Sequence, residues 1–462
     1  MSEIMFNAAH RRVRALLDSG TFMEIGGGAK SNPEDAPSDG VITGYGNING
    51  VAVYVYCQDA DAMNGTIGVT HAAKIQRVYE LATKTGSPIV GMIDCAGMRL
   101  EEGNPVLNEF GKLYRAVGNA SGVVPQISCI MGTCGGGMAI IPAMSDFVFM
   151  KNEGARFFVN SPDAVEDGAD EKVASAEFAS DYGVVDYIGT EEDILSKVRE
   201  LVKMLPSNYE DDTSYSECTD DPNREIPGIE DYKADPHRII YELADDHIYF
   251  ERRPEYCKEI ITAVAKLDGT TVGFLANRDI TDDNDPSALF TPSGAYKAAY
   301  FIRFCDAFSI PLISLVNLPG FARTLESEKK IAKASARLLF KFGASTIPKV
   351  SVVTGDAYGS AFLTMCSRPA GVDFVYAWEG AHIGMLAGVE AAKVFAQREA
   401  AASVSILAQE YDDKYNSIES AEAAGLVDAV IPAEETRKYL IGALRQLFSK
   451  REVVPNRKHG SL

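Results

Sequence analysis

The feature that most constrains this chain is a strand–turn–helix pattern that occurs twice. The first copy follows Pro125 as an apolar run and then reads Gly132-Thr133-Cys134-Gly135-Gly136-Gly137. The second copy follows Pro348, 223 residues later (348 − 125), and reads Gly355-Asp356-Ala357-Tyr358-Gly359-Ser360. Five more identical pairs share this offset: Gly132 and Gly355, Gly136 and Gly359, Pro88 and Pro311, Gly97 and Gly320, and Lys74 and Lys297. A constant offset across matching patterns predicts a duplicated domain.

Each copy places glycines at the point where a buried strand passes into a helix. Backbone N–H groups at a helix N-terminus have no intrahelical partner and can stabilise an oxygen that gains negative charge. Glycine at such a turn also allows a helix and a strand to pack closely. The residues alone leave two interpretations open, an oxyanion site in each half or a purely structural turn.

The order of elements predicts an α/β fold with parallel strands in each half. With 462 residues and 46% apolar residues, the chain is long enough for two domains with sizeable cores. An acidic, proline-punctuated stretch without periodicity separates the halves, as linkers do. We predict an N-terminal domain over 1–207, an acidic linker region over 208–235 and a C-terminal domain over 236–462.

Local patterns predict individual elements within this plan. Asn49-Gly50 and Asp268-Gly269 are turn dipeptides between apolar runs, so each predicts a β-hairpin. Helical spacing predicts helices over these ranges: 10–17, 70–84, 389–410 and 434–450.

Composition narrows the possible partners and compartment. A net charge of −21 argues against nucleic acid and anionic membrane surfaces as partners. No apolar run approaches the roughly 18 residues that a membrane helix needs, and the N-terminus has no signal-peptide pattern. The eight cysteines include no CxxC pair, and the six histidines show no metal-ligand spacing. We therefore expect a cytoplasmic protein with reduced cysteines and no metal site.

Several single residues carry two interpretations. Cys134 is either a small buried thiol or a nucleophile, and His71 is either a packing residue or a base. Gly359-Ser360 suggests a serine nucleophile, but no GxSxG frames it. Arg99 lies in an expected solvated turn, with contact to a phosphate group of a ligand as the alternative. Leu363, just past the second turn, either lines a site or packs in the core.

Motifs along nearly the whole chain resemble one family, the carboxyltransferase subunits of biotin-dependent acyl-CoA carboxylases and the related decarboxylases, of the propionyl-CoA carboxylase β type. Asp94-Cys95-Ala96-Gly97-Met98-Arg99 resembles the family's Asp-Ser-Gly-Gly-Ala-Arg motif. The other motifs that carry the resemblance are 16–25, 39–46, 299–308, 316–321 and 424–432, then Thr436-Arg437 and the basic end 457–460.

The resemblance implies two tandem crotonase-like (ββα-spiral) domains. Family members bind acyl-CoA on the N-terminal domain and carboxybiotin on the C-terminal domain, at a dimer interface. Carboxybiotin releases CO2, the ureido nitrogen takes the acyl α-proton, and the enolate attacks CO2; decarboxylases run the reverse. By position, the N–H groups of Gly136 and Gly137 would hold the thioester oxygen. Those at Gly359, Ser360 and Ala361 would hold the ureido oxygen, and no side-chain base is required.

The resemblance also implies residues that line the two binding regions and the partners of the chain. The candidates for contact with CoA or biotin are Gly97, Arg99, Gly320, Phe321 and Leu363. No Walker motif and no biotinyl Ala-Met-Lys-Met are present, so biotin would be carried by another chain or domain, served by a biotin carboxylase subunit. Family practice suggests a homohexamer.

Departures from the family pattern leave alternatives open. Ser360 replaces a glycine, residues 324–328 replace the family's Gly-x-x-Gln-Glu segment, and 161–188 is shorter than its counterpart. The changes on the biotin side keep a non-catalytic assembly subunit open. A decarboxylase subunit stays open because the sequence does not set the direction of transfer, and a biotin-free crotonase-like hydratase or hydrolase is the third alternative.

Overall fold

The computed structural model describes residues 7–30, 38–165, 171–211, 216–278, 289–365, 367–396 and 404–455. The chain forms two compact units, one of Met1–Ser214 with Arg252–Tyr256 and one of Tyr215–Glu251 with Cys257–Leu462. Ile226 and Ile229, in the stretch predicted as a linker, pack in the core of the second unit. The domain boundaries at 207 and 235 stay predictions.

The first unit is an eight-stranded sheet with helices packed on it. Its strand order is β1-β2-β3-β4-β5-β6-β8, with β7 paired to the far end of β5. The three strands β1 to β3 are antiparallel, and the remaining pairs are parallel. The strands are β1 Met23–Glu24, β2 Val41–Ile48, β3 Val51–Gln58, β4 Ile89–Cys95, β5 Gln126–Gly135, β6 Phe147–Lys151, β7 Arg156–Phe158 and β8 Tyr187–Gly189. The helices are α1 Ala8–Leu16, α2 Val69–Thr85, α3 Pro105–Ala120, α4 Ile140–Met144, α5 Ala176–Asp181 and α6 Glu191–Met204.

The second unit repeats this topology. Its strand order is β9-β10-β11-β12-β13-β14-β16, and β15 pairs with β13 as β7 pairs with β5. The strands are β9 Tyr249–Glu251, β10 Ile260–Leu267, β11 Thr270–Asn277, β12 Leu312–Leu318, β13 Lys349–Tyr358, β14 Phe374–Trp378, β15 His382–Gly384 and β16 Ala429–Ile431. The helices are α7 His237–Leu243, α8 Pro292–Ala307, α9 Leu325–Glu328, α10 Ile331–Ala344, α11 Gly359–Thr364, α12 Gly388–Ala396, α13 Val404–Tyr411, α14 Ile418–Ala423 and α15 Thr436–Leu447.

The central strands are nearly continuous apolar runs because helices cover the sheet, as parallel strands require. In the first unit, α2 and α3 bury side chains such as Ile75, Val78, Phe110 and Leu113 against β4 and β5. Within the described ranges, no helix has the length and apolarity needed to cross a lipid bilayer.

Both hairpin predictions are confirmed, and one design fixes both turns. Asn49-Gly50 and Asp268-Gly269 join their strands with all four residues at positive φ. In the first unit, Asp18 accepts hydrogen bonds from both N–H groups of the turn, at 3.0 and 2.9 Å. Asp245 does the same in the second unit, at 3.0 and 2.7 Å.

An arginine from a later helix holds each of these aspartates. Arg199 donates to Asp18 and to the carbonyl of Leu16, and Arg437 donates to Asp245 and to the carbonyl of Leu243. Leu16 and Leu243 are separated by the same number of residues as Asp18 and Asp245. The duplication therefore extends to the side chains that support the sheet.

The single helix predicted over 389–410 is wrong, because the described residues form two separate helices. Gly388–Ala396 and Val404–Tyr411 are two helices that pack on one another, and 397–403 lie outside the described residues. The other predicted helices are confirmed within three residues at either end.

Candidate active site

The first glycine turn lies where β5 ends. Gly136 begins a 3₁₀ turn over Gly136–Ala139, which continues directly into α4. Gly136 has φ +61°, and no atom lies within 4 Å of where its Cβ would be, so the backbone conformation rather than space requires glycine. A Cβ on Gly137 would lie 2.7 Å from the Tyr114 hydroxyl, which donates a 2.7 Å hydrogen bond to the Gly137 carbonyl. Burial raises the pKa of Tyr114, so this donor stays protonated at neutral pH.

The second turn has the same backbone. Gly359 begins α11 directly after β13 and has φ +58°, close to the +61° of its counterpart Gly136. Ser360, at the position of Gly137, lies outside the left-handed region. A serine is therefore accommodated without backbone strain, and its N–H is retained. Ala361 is buried within the first turn of the helix.

The two turns can perform the same chemistry. In each, a strand delivers a left-handed glycine to the start of a helix, where the first N–H groups have no intrahelical acceptor. Preorganised N–H donors of this kind stabilise a developing oxyanion without further reorganisation.

A polar side chain next to each turn was missed by sequence reasoning. Asp94, at the end of β4, accepts a 3.1 Å hydrogen bond from the N–H of Thr133. Asn317, on β12, accepts a 3.0 Å hydrogen bond from the N–H of Asp356. Asp94 and Asn317 are 223 residues apart, as are Thr133 and Asp356. Neither pair is an identity, so identical residues at this offset do not reveal them.

Gly97 lies beside the first turn, and its contact with a ligand stays a prediction. It has φ +119°, and its Cβ would be 3.9 Å from the carbonyl oxygen of Gly135. Its own carbonyl accepts from Ile67, which forms a parallel bridge with Met98. The loop after β4 is thereby fixed against the start of α2.

The expectation of a solvated turn over 99–102 is wrong for Arg99 itself, although Leu100 in the same turn is 85% exposed. Arg99 is 5% exposed, and its guanidinium bonds to Asp39, Glu102 and the carbonyl of Thr66. Glu102 in turn accepts from Val69 N at 2.6 Å. This geometry favours a structural role, in which Arg99 ties the loop to α2, over contact with a CoA phosphate, which stays a prediction.

Two candidate site residues of the second unit, Gly320 and Phe321, occupy the positions that Gly97 and Met98 occupy in the first unit. Phe321 forms a parallel bridge with Phe290, the counterpart of the bridge between Met98 and Ile67, and the two rings stack at 5.9 Å. Gly320 has no atom within 4 Å of a Cβ position, so it has open space beside it. Leu363 is 42% exposed on α11, which excludes simple core packing and leaves its role in the site as a prediction.

His71 and Cys134 are packing residues. His71 is fully buried between Gln58 and the carbonyl of Asp39, and burial followed by the Arg99 cation lowers its pKa to about 3. Cys134 is also fully buried, and burial raises its pKa well above the usual range. Neither fits the role of an acid, base or nucleophile near neutral pH.

Comparison with known proteins agrees with this architecture. The family model described as "Carboxyl transferase domain" matches residues 7–462. The methylmalonyl-CoA decarboxylase subunit alpha of Veillonella parvula is 34% identical, over 98% of this chain and 92% of its own. The propionyl-CoA carboxylase beta chain of Roseobacter denitrificans is 35% identical, over 98% and 93%.

A solved structure shows the same fold. The transcarboxylase 12S hexamer, with methylmalonyl-coenzyme A and methylmalonic acid bound, superposes with a TM-score of 0.90 at 32% identity, over 98% of this chain and 92% of that one. The prediction of two tandem crotonase-like domains is thus confirmed. Because the motifs, the doubled turn and these full-length matches agree, this chain belongs to the carboxyl transferase domain family and is a carboxyltransferase of the acyl-CoA carboxylase type.

Proposed function

We propose that this protein moves a carboxyl group between carried biotin and the α-carbon of a short acyl-CoA, of the acetyl-CoA or propionyl-CoA type. The observation that carries the proposal is the pair of equivalent turns at Gly136 and Gly359, one in each unit. A transfer between two acceptors creates negative charge on two oxygens in turn, so it calls for two such sites.

In the first site, the N–H groups of Gly136 and Gly137 hold the thioester oxygen as the α-carbon becomes an enolate. This stabilisation lowers the barrier without a side-chain base, because the donors are fixed before the charge develops. The buried, neutral state of His71 and Cys134 agrees with a reaction that uses none.

In the second site, the N–H groups at Gly359, Ser360 and Ala361 hold the ureido oxygen of biotin. When bound, biotin supplies or accepts the carboxyl group, and its ureido nitrogen exchanges the proton with the acyl α-carbon. The turn fits this group because Ser360 keeps its N–H in an unstrained conformation. Gly320, Phe321 and Leu363 lie on the elements next to this turn and are the proposed contacts.

We further propose that the chain assembles as a homohexamer and works with separate biotin carrier and biotin carboxylase subunits. Support comes from the transcarboxylase 12S relative, which is described as a hexamer. Light scattering of the purified protein should give a mass about six times that of the chain, and a stable monomer would contradict the assembly.

Decarboxylation is the second candidate, because relatives named methylmalonyl-CoA decarboxylase subunit alpha match at 34 and 33% identity. The same two turns serve either direction. The relative rates of the two directions distinguish the candidates. Faster formation of propionyl-CoA from methylmalonyl-CoA, with biotin carrier present and no ATP, would favour the decarboxylase, whereas faster carboxylation of propionyl-CoA by carboxylated carrier would favour the carboxylase.

A substitution pair at Ser360 tests the role of the second turn. Ser360→Pro removes one backbone donor at a helix start, where proline is tolerated, and Ser360→Ala keeps that donor and removes only the hydroxyl. We expect Ser360→Pro to lower carboxyl exchange between malonyl-CoA and free biotin by about 100-fold or more, and Ser360→Ala to stay near wild type. Loss of exchange in Ser360→Ala would indicate a hydroxyl nucleophile. Full activity of Ser360→Pro would refute the oxyanion role.

A further inference from the structure

We infer that Asp94 and Asn317 are the positioning residues of the two turns, an inference that rests on the proposed function of those turns. Neither side chain needs to touch a substrate. Each bonds to the strand three residues before the left-handed glycine, and so fixes where the N–H groups of the turn point.

The backbone of β5 requires such a support. Along the pair β4 and β5, Ile93 lies opposite Ile130, but Cys95 lies opposite Cys134. Between these two pairs, β5 advances by four residues while β4 advances by two. A bulge of this kind leaves backbone groups without partners in the hydrogen-bond ladder. The N–H of Thr133 lies in the bulge, and Asp94 is its acceptor.

The fit between Asp94 and the bulge is tight. A Cβ on Gly132 would lie 2.1 Å from Asp94 Oδ1, so glycine at this position makes room for the carboxylate. The other oxygen, Oδ2, faces Arg12 Nη1 at 3.5 Å, and Arg12 Nε donates to Glu191 at 2.9 Å. Arg12 and Asp94 are largely buried, so the carboxylate is held from both sides.

The second unit repeats the device with an amide. Val316 lies opposite Val353 and Leu318 opposite Ala357, which is the same bulge at the same offset. A Cβ on Gly355 would lie 2.5 Å from Asn317 Oδ1. The amide nitrogen Nδ2 donates at 3.1 Å to the carbonyl of Lys233, so the side chain is again held at both ends.

The side chain that supports the turn is a charged carboxylate in the first unit, Asp94, and a neutral amide in the second, Asn317. Both place an oxygen acceptor on the bulge, so the shared function needs the acceptor and not the charge. Asp94→Asn should therefore keep the turn in place, because an amide oxygen performs this task in the second unit. Asp94→Ala should release the bulge and let Gly136 and Gly137 shift.

The experiment compares Asp94→Ala with Asp146→Ala. Asp146 accepts from Gln126 N at 2.9 Å, at the opposite end of the same strand, so it is a matched carboxylate far from the turn. We expect Asp94→Ala to lower kcat for carboxyl exchange about 100-fold, since small misplacements of catalytic groups have effects of this size, with KM for malonyl-CoA within about threefold. Asp146→Ala should lose thermal stability but keep kcat, and Asp94→Asn should restore most of the activity.

A readout that does not depend on activity completes the test. Amide hydrogen exchange in peptides over 130–138 should accelerate in Asp94→Ala and not in Asp94→Asn. In the second unit, exchange over 353–361 should accelerate in Asn317→Ala and not in Asp373→Ala, since Asp373 accepts from Lys349 N at the far end of β13.

Each outcome decides between the two proposals. Equal losses of kcat in Asp94→Ala and Asp146→Ala would overturn the positioning role, as would unchanged hydrogen exchange over 130–138 in Asp94→Ala. A wild-type protein without carboxyl exchange would overturn the proposed function, and the hydrogen-exchange arm would then decide the positioning role by itself.

Discussion

Two glycines in the left-handed region define the two turns, and their surroundings differ. Gly136 has open space at its Cβ position, whereas a Cβ on Gly359 would lie 3.0 Å from the carbonyl oxygen of Met385. The first position therefore excludes other residues by backbone conformation only. The second excludes them by conformation and by contact.

We expect Gly136→Ala to lower the free energy of unfolding by about 1–2 kcal/mol, the cost of a left-handed L-residue. Gly359→Ala should cost more, because the methyl group also displaces the Met385 carbonyl. Urea unfolding of both variants measures the difference. Gly118→Ala, in the interior of α3 with no atom near its Cβ position, is the control and should be neutral or stabilising.

His71 makes stability depend on pH. Its folded pKa of about 3 lies below the unfolded value near 6.5, so the unfolded chain binds the proton first as the pH falls. The contribution of His71 to stability is therefore complete above pH 6.5 and is lost between pH 6.5 and 3, at about 1.4 kcal/mol per pH unit. Unfolding of wild type and His71→Gln at pH 7, 6 and 5 should show a steeper decline in wild type, and parallel curves would contradict this assignment.

At the scale of elements, the two hairpin turns are held by equivalent arginine–aspartate pairs that differ in burial. Arg437 is completely buried with Asp245, whereas Arg199 and Asp18 keep more than a quarter of their side chains exposed. A buried charge that loses its partner is far more costly than an exposed one.

We therefore expect Arg437→Met to lower the free energy of unfolding by about 3–5 kcal/mol, because Asp245 is left buried beside Asp220. Arg199→Met should cost about 1 kcal/mol or less. Chemical denaturation monitored separately in each unit measures both losses of free energy of unfolding. Equal losses would show that burial does not determine how much each arginine–aspartate pair stabilises its unit.

The elements also show what the sequence could predict. Turn dipeptides and apolar runs located both hairpins and the central strands, because these signals are local. The bulges in β5 and β13 were not predicted, since they arise from how a strand pairs with its neighbour. For the same reason Arg99 was assigned to solvent: its partners Asp39 and Thr66 are distant in sequence and become neighbours only in the fold.

For the whole molecule, the duplication was predictable from six identities at one offset, and the structure extends it to sheet order, bridges and bulges. The path of the chain between the units was not predictable. Arg252–Tyr256 belongs to the first unit although it follows the predicted linker. Within that unit, Arg252 and Arg253 face the buried carboxylate of Asp186, and Tyr256 packs on Gly183.

A fragment that ends at residue 207 should therefore be less stable than the same region in the full chain. It lacks Arg252 and Arg253, so Asp186 loses the cations that face it. Limited proteolysis should cut the fragment faster than the corresponding region of the intact protein, and Asp186→Asn should partly protect the fragment. A fragment as resistant as the intact protein would show that the returning segment is dispensable.

The reactivity of the buried cysteines in the first unit can report transient opening of that unit. Cys57, Cys95, Cys129 and Cys134 are all fully buried there, and burial raises the pKa of Cys57 to about 12 and that of Cys95 to about 11. Because only the thiolate reacts with alkylating reagents, these four thiols do not react while the unit is folded. The rate at which iodoacetamide labels them, measured by mass spectrometry, therefore reports the transient opening of the first unit.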